Sequence, residues 1–589
     1  MFKSSFSAGM TLGIVLVASA VPMESEACGG FFCTTIPINQ AAEQIVFRQE
    51  PGMVTAMVRI QYTGNAEDFS WVVPVPTDPE LSIGSDTTFT ELDFATQPNF
   101  NLRINGNTCG FDQVVFAPSA VDSADFSAEA SDGGVVIERE EEVGPFDVQV
   151  ISSDNPDAMS MWLADNGYDI GERGDELLAP YITDGMKFVA LKLRSGESSG
   201  SIQPLIMRYA SDRPMVPIRL TAVAAQDDMG VLVYVVNDQL GRAIPDNYLH
   251  VVPNYTRLDW FNGPFNAFGS YQNLITEAMD EAGGQGFATD FAGTITSNIS
   301  DFFTDPSNIA NALDNLNTIE NDAEYLVQSL NTTPNFNGAL ANIQASLPLP
   351  DGLTQDLYFS PNRLESVFTP DELAAARVSM NEFLVSRELE PLQDSVALVP
   401  EGAYLTRLFT TLSADEMTLD PTFDYNPSMP DQPRNREATV NASCTNDVSN
   451  WTLTLGPGTG RDGEVVLDVT GEPIPGFGFG IPTPIDAQPA AFAQQRTSAD
   501  AEPETLVQAV FSPMTIAADG SVEGGLINTL NGEAEEPTGD IDTGGADIIT
   551  DVVDSSSSGG FFGAAGPSVF ALAGFLLFRR RLHNNKLVR

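Results

Sequence analysis

Lysine and histidine are almost missing from this 589-residue chain. Its lysines are Lys3, Lys187, Lys192 and Lys586, and its histidines are His250 and His583. Against 27 Lys+Arg stand 81 Asp+Glu, a formal net charge of −54. Such a surface repels phosphate backbones and anionic headgroups, which excludes nucleic acid as a partner. Four cysteines with no C-x-x-C, and two histidines with no H-E-x-x-H, leave no zinc motif. A Ser–His–Asp site would have to use His250 in "NYLHVVPNY", and no nucleophile-elbow turn is paired with it. The residue reads as a packed or surface residue rather than a catalytic one. "CGGFFC" at 28–33 separates its cysteines by four residues, not by the two of a redox motif. "GDIDTGGAD" at 539–547 is the nearest approach to a calcium loop, and it lacks the distal Glu. "GEPIPGFGFGIP" at 471–482 lacks the lysine of a phosphate loop and reads as turns. Carboxylate pairs such as Asp227-Asp228, or the run Glu140–Glu142, are too common here to mark acid–base chemistry. No catalytic residue, metal ligand or cofactor is assigned.

What the chain does carry are two addresses. Lys3 and the apolar "GMTLGIVLVASAV" read as a secretory signal, with small-residue cleavage sites after Ala20 and after Ala27. Cleavage after Ala27 by signal peptidase is the preferred expectation. Lipidation of Cys28 is the competing one, weakened by Ser25 where a lipobox carries an aliphatic residue. At the other end, the 18 residues Phe561–Phe578 are uncharged, and Arg579, Arg580 and Arg581 follow. This predicts a single transmembrane helix with its basic end in the cytoplasm and the large N-terminal part outside. A plain anchor is the simplest reading. The preceding acidic spacer, the serines 555–558 and the pair Gly559-Gly560 suggest a processed one.

Between these ends the patterning predicts an α+β chain of several units. The expected division is a signal at 1–27, a β-rich and α+β region at 28–260 and a mostly helical region at 261–430. A small β-rich region follows at 431–530, then an acidic Gly/Ser linker at 531–560 and the sorting tail at 561–589. "VTAMVRIQY" (54–62) alternates like a half-buried strand, and "FSWVVPVP" (69–76), with Pro74 and Pro76, like an edge strand. Asp154 or Asn155 caps a helix with Pro156 in its first turn, whose Met159, Trp162 and Leu163 share a face before Gly167 stops it. "DELLAPYI" reads as another helix. "KFVALKL", "QPLIMRY", "PIRLTAVAA" (217–225) and "GVLVYVV" read as strands. Thr369-Pro370-Asp371-Glu372 and "SADE" (413–416) both have the form of a capping box.

Two resemblances add to this. "ACGGFFC" (27–33), "PFDVQVISSDNPDAMSMWLADNGYDI" (145–170), "GMKFVALKLRSG" through "PMVPIRLTAVAA" (185–225) and "YLTRLFTTLSADEMTLDPTFDYNP" (404–427) resemble the bacterial family called domain of unknown function 2330. That resemblance covers about 28–430 and implies an exported protein, with no catalytic residue to carry over. The tail resembles the GlyGly-CTERM sorting signal. It implies cleavage near Gly559-Gly560 by a rhombosortase-type intramembrane protease, then type II secretion to the cell surface.

Export makes disulfides the default for Cys28, Cys33, Cys109 and Cys444, with three possible pairings. The glycines between Cys28 and Cys33 favour a tight ring there, leaving Cys109 with Cys444. Lipidated Cys28 would leave Cys33 odd. The functional expectation is a cell-surface, non-enzymatic structural or binding protein of the envelope, whose partner the sequence does not identify. The alternative is an exported carboxylate-dependent hydrolase.

Overall fold

The apolar run Met229–Asn237 is buried at every residue, as in a strand covered on both faces. The chain builds outward from it. The computed structural model describes residues 42–524 apart from several stretches, the longest being 60–68, 108–135 and 475–487. The signal, the linker, the apolar span and its arginines, together with Cys28, Cys33 and Cys109, lie outside the described residues. Among the described residues no helix is long and apolar enough to cross a membrane.

The first strands are β1 (Ala42–Glu50), β2 (Met53–Arg59), β3 (Ser70–Val75) and β4 (Glu80–Ile83). Next come α1 (Asp86–Thr96), β5 (Asn99–Gly106), β6 (Val136–Val143), β7 (Phe146–Ser152), α2 (Pro156–Asp165) and α3 (Gly174–Thr183). Then follow β8 (Lys187–Leu193), β9 (Leu205–Ala210), α4 (Ile218–Thr221), β10 (Met229–Asn237), β11 (Arg242–Pro245) and β12 (Leu249–Pro253). After α5 (Ala267–Glu281) and β13 (Gly286–Thr294) the chain is helical: α6 (Ser297–Ser300), α7 (Pro306–Asn317), α8 (Asp322–Thr332), α9 (Phe336–Ser346), α10 (Pro361–Val367), α11 (Pro370–Leu384) and α12 (Glu390–Ala397). It returns to strands with β14 (Tyr404–Leu412), β15 (Phe423–Asn426), β16 (Asn435–Thr445), β17 (Val448–Leu455) and β18 (Val465–Thr470). The last are β19 (Ala491–Ser498), β20 (Ala501–Gln508), β21 (Met514–Ile516) and β22 (Val522–Glu523).

The class is α+β. A ten-stranded mixed sheet runs β20-β19-β12-β13-β14-β10-β1-β2-β9-β4. Only β1–β10 and β12–β13 are parallel pairs within it. A four-stranded sheet, β3-β8-β7-β6, packs on one face, and a six-stranded sheet, β22-β21-β18-β17-β16-β5, lies toward the other end. The ten-stranded sheet draws strands from each of the ranges 28–260, 261–430 and 431–530. β5 leaves the first range to pair in parallel with β16, from Asn99↔Asn435 to Gly106↔Ala442. Cys444, near the end of β16, is disulfide-bonded.

Two faces of the sheet carry two cores. Ile45, Phe47, Val54 and Ala56 face the four-stranded sheet with α2 and α3 behind it. Val46, Met57, Leu232 and Tyr234 face Phe89, Leu92 and Ala95 of α1. Thus β2 is buried on both faces, not one: its burial runs through every residue from Val54 to Val58. The alternation Val54/Ala56/Val58 is real, but Met57 on the opposite side has α1 over it. The helices α7–α11 hold a core of their own, with Leu326, Ile343, Tyr358 and Met380.

Local chemistry sets most of these elements. Asn155 caps α2 by accepting from the Asp157 N–H, Met159, Trp162 and Leu163 are buried, and Gly167 follows at φ 69°. Thr369 and Glu372 form the full reciprocal capping box on α11. β3 lies at the edge of its sheet, as Pro74 within it and Pro76 just beyond it favour.

Two expectations fail. Residues 217–225 do not make a strand: α4 forms there, and the Arg219 N–H donates to Asp420 Oδ1 at 3.1 Å. A carboxylate from 201 residues away thus supplies the N-terminal acceptor that the segment lacks. "SADE" makes half a box. Ser413 N–H donates to Glu416 Oε2 at 2.8 Å, but only a turn follows. Pro421 and the return into β15 leave no room for a helix.

Candidate functional site

The seam between the ten-stranded sheet and β3 contains the pocket with the most specific chemistry. Glu43, Ile45 and Phe47 stand on one face of β1, at the two-residue period of a strand. The register carries that face across the sheet, from Phe47 to Ala56 on β2 and on to Met207 on β9. Trp71 and Val73 of β3 close the opposite wall, and Leu220 and Thr221 of α4 close one end. Met215, Pro217 and Pro76 are half-buried and form the rim. The internal void is about 30 Å³, room for about two waters.

Glu43 is the pocket's one charged lining residue. It is 8% exposed. Desolvation raises its pKa to about 7, opposed by a hydrogen bond with Thr221. Its Oε2 has no hydrogen-bond partner among the described residues. Nothing in "AAEQIVF" distinguishes this glutamate from the other acidic residues, so sequence reading missed it. Its one signal is an acidic residue in phase with Ile45 and Phe47.

His250 lies elsewhere, on β12, and is 6% exposed. Arg242 Nη2 lies 3.0 Å from its Nε2. The guanidinium has only donors, so Nε2 accepts, and the proton sits on Nδ1, which donates to Gln495 Oε1 at 3.3 Å. Burial, with the Arg242 charge beside it, lowers the imidazole pKa to about 3. Both nitrogens are occupied, and neither faces a nucleophile. "GESSG" at 196–200 does match the letters of G-x-S-x-G, but all of it except Glu197 lies outside the described residues. The His250 ring resonances are expected to stay constant from about pH 4 to about 8 in a proton NMR titration. His250→Ala should then alter function only as far as it alters folding. A midpoint near 6.5 would show an accessible imidazole.

The densest charge network is structural. Asp290 occupies a bulge in β13, between the pairs Thr289↔Leu408 and Phe291↔Arg407. It accepts from Tyr271 Oη on α5 and from Arg407 Nε at 3.1 Å. Arg407 also reaches Asp93 Oδ1 at 2.7 Å. Arg436 donates to the Asp290 carbonyl at 2.8 Å and to Tyr255 Oη at 3.0 Å. These contacts join α1, α5, β13, β14 and β16.

A third place is an open cleft of about 400 Å³ beside α5, lined by Asp228, Gln272, Thr276, Glu277 and Thr411 among others. It brings two carboxylates to one surface. Glu277 is ion-paired with Arg257, and Asp228 is bonded to Ser413. Among the described residues, no group of three or more His, Cys, Asp or Glu could hold a metal ion.

No curated protein matches the chain, and no solved structure does. One family model matches, over residues 22–313. The span is shorter than the 28–430 expected: it ends within α7 and leaves out the rest of the helical core and 404–427. Across 22–313, which includes the whole Glu43 pocket, the chain belongs to the bacterial family described as "Uncharacterized protein conserved in bacteria (DUF2330)".

Proposed function

We propose that this is a non-enzymatic binding protein of the cell surface, which takes a small ligand in the seam between its two packed sheets. The observation that carries the reading is the pocket itself: apolar walls around one buried carboxyl with a free acceptor. Glycosidase-like hydrolysis needs two carboxyls about 5–10 Å apart, and the pocket lining supplies one. In the open cleft, Asp228 and Glu277 already have protein partners. Ligand-observed NMR with small organic solutes tests the reading. At least one solute should bind the wild type and not Ala56→Val, whose two added methyl groups would take up the void. Failure of every solute to bind would contradict it.

The route to the surface belongs to the same proposal. Signal peptidase removes 1–27, the apolar span is a temporary anchor, and a rhombosortase-type protease cuts near Gly559-Gly560 before type II secretion. The composition of the two ends supports this. The mature exported protein is expected to lack everything beyond roughly Gly560, as intact mass would reveal. Recovery of the Arg579–Arg581 peptide from exported protein would leave a plain anchor.

Cys109 is proposed as the partner of Cys444. The parallel register sets Gly106 beside Ala442; in sequence, Cys109 follows Gly106 by three positions and Cys444 follows Ala442 by two. The remaining ring is Cys28–Cys33. Non-reducing peptide mapping reads both bridges.

A further inference from the structure

We propose that the seam pocket holds the head of a slender primary aliphatic amine, with Glu43 as its counter-ion. This rests on the pocket being a ligand site, and it names the ligand's chemistry. Glu43 Oε2 is buried and lacks a donor among the described residues, an unfavourable state until a donor arrives. An ammonium carries three N–H donors and a full opposite charge, so it satisfies the oxygen and keeps the carboxylate ionised. A hydroxyl would supply the hydrogen bond but not the charge. A carboxylate or phosphate ligand would meet Glu43 itself and the field of a chain with net charge −54.

The walls fit the rest of such a molecule. Ile45, Phe47, Val58 and Trp71 offer apolar and aromatic surface to a methylene stem. The void of about 30 Å³ admits an ammonium and the carbon next to it, but not a ring or a branched chain. Met207 in the wall and Met215 on the rim are unbranched thioethers, and they can shift to let a longer stem pass. The other titratable lining group is Tyr209, whose phenol burial keeps neutral. Arg219 of α4, the nearest cation in sequence to Thr221, is held by Asp420 at 3.6 Å.

Calorimetry on the mature protein tests this with n-butylamine, n-butanol, butyrate and Nα-acetyl-lysine methylamide. Butylamine should bind the wild type, and roughly tenfold or more weakly to Glu43→Gln. Butanol should bind both proteins alike, and butyrate should bind neither. Binding of the lysine derivative as well would support the proposal with a protein side chain as the source. Binding of butylamine alone would support it with a free amine. Equal butylamine binding by Glu43→Gln, or butanol binding without butylamine binding, would overturn the amine assignment and leave the binding reading standing. No binding by any solute would overturn both.

Discussion

Asp290→Ala is expected to lower the unfolding free energy by about 3 kcal/mol or more. The carboxylate is buried and paired with an arginine that is itself 4% exposed. Removing it leaves Arg407 Nε and the Tyr271 hydroxyl facing the cavity without acceptors. Breaking a buried pair costs more than the pair contributes, because the surviving charge stays desolvated. Asp93→Ala is the comparison. Asp93 meets the same guanidinium but is 39% exposed, so its loss should cost about 1 kcal/mol or less. Urea unfolding of the three proteins reads the difference. Equal effects of the two substitutions would mean that the bulge does not concentrate the network at Asp290.

Glu43 should make stability depend on pH in the direction opposite to a salt-bridged acid. Burial raises its pKa from 4.5 to about 7, so the folded state holds a proton that the unfolded chain has released. The stabilisation is complete below the unfolded value and is lost as pH rises through 7. The loss amounts to about 3 kcal/mol between those limits. Glu43→Gln keeps the shape and removes the proton. Relative to the wild type, the variant should therefore gain about 3 kcal/mol between pH 4.5 and pH 8. Glu388, between α11 and α12, is raised to about 7 as well, so the variant retains part of the slope. Unfolding midpoints at several pH values measure the difference. A constant gap between the two proteins would place Glu43 in water.

Much of the fold is legible residue by residue, because it is set by neighbours in sequence. Asn155-Pro156, Gly167, the Thr369–Glu372 box and the apolar run of β10 each act within a few positions, and each is found as read. What depends on distant chain is not legible. Met57 gives no sign that α1 covers it. Residues 217–225 look like a strand until the Asp420 carboxylate arrives from across the fold. The parallel pairing of β5 with β16 joins segments more than 300 residues apart, and neither strand carries a mark of the other.

The site follows the same division. His250 has no partner motif in the sequence, and in the structure it is buried with both ring nitrogens occupied. Glu43 could not be singled out among 81 acidic residues. Its identity as a buried acid comes from a pocket whose lining also includes Trp71, Leu220 and Met207, from three other elements. Asp290 left a faint trace, an acidic residue inside the otherwise apolar run "GFATDFAG", but the bulge that aims it is a property of the ladder.

The most direct measurement is a carbon-13 NMR titration of the Glu43 side-chain carboxyl in the mature protein, alone and with n-butylamine. A desolvated carboxyl in a ligand pocket predicts a midpoint of about 7 for the free protein, moving down into the ordinary carboxylate range when the amine pairs with it. A midpoint in the ordinary range under both conditions would contradict the account.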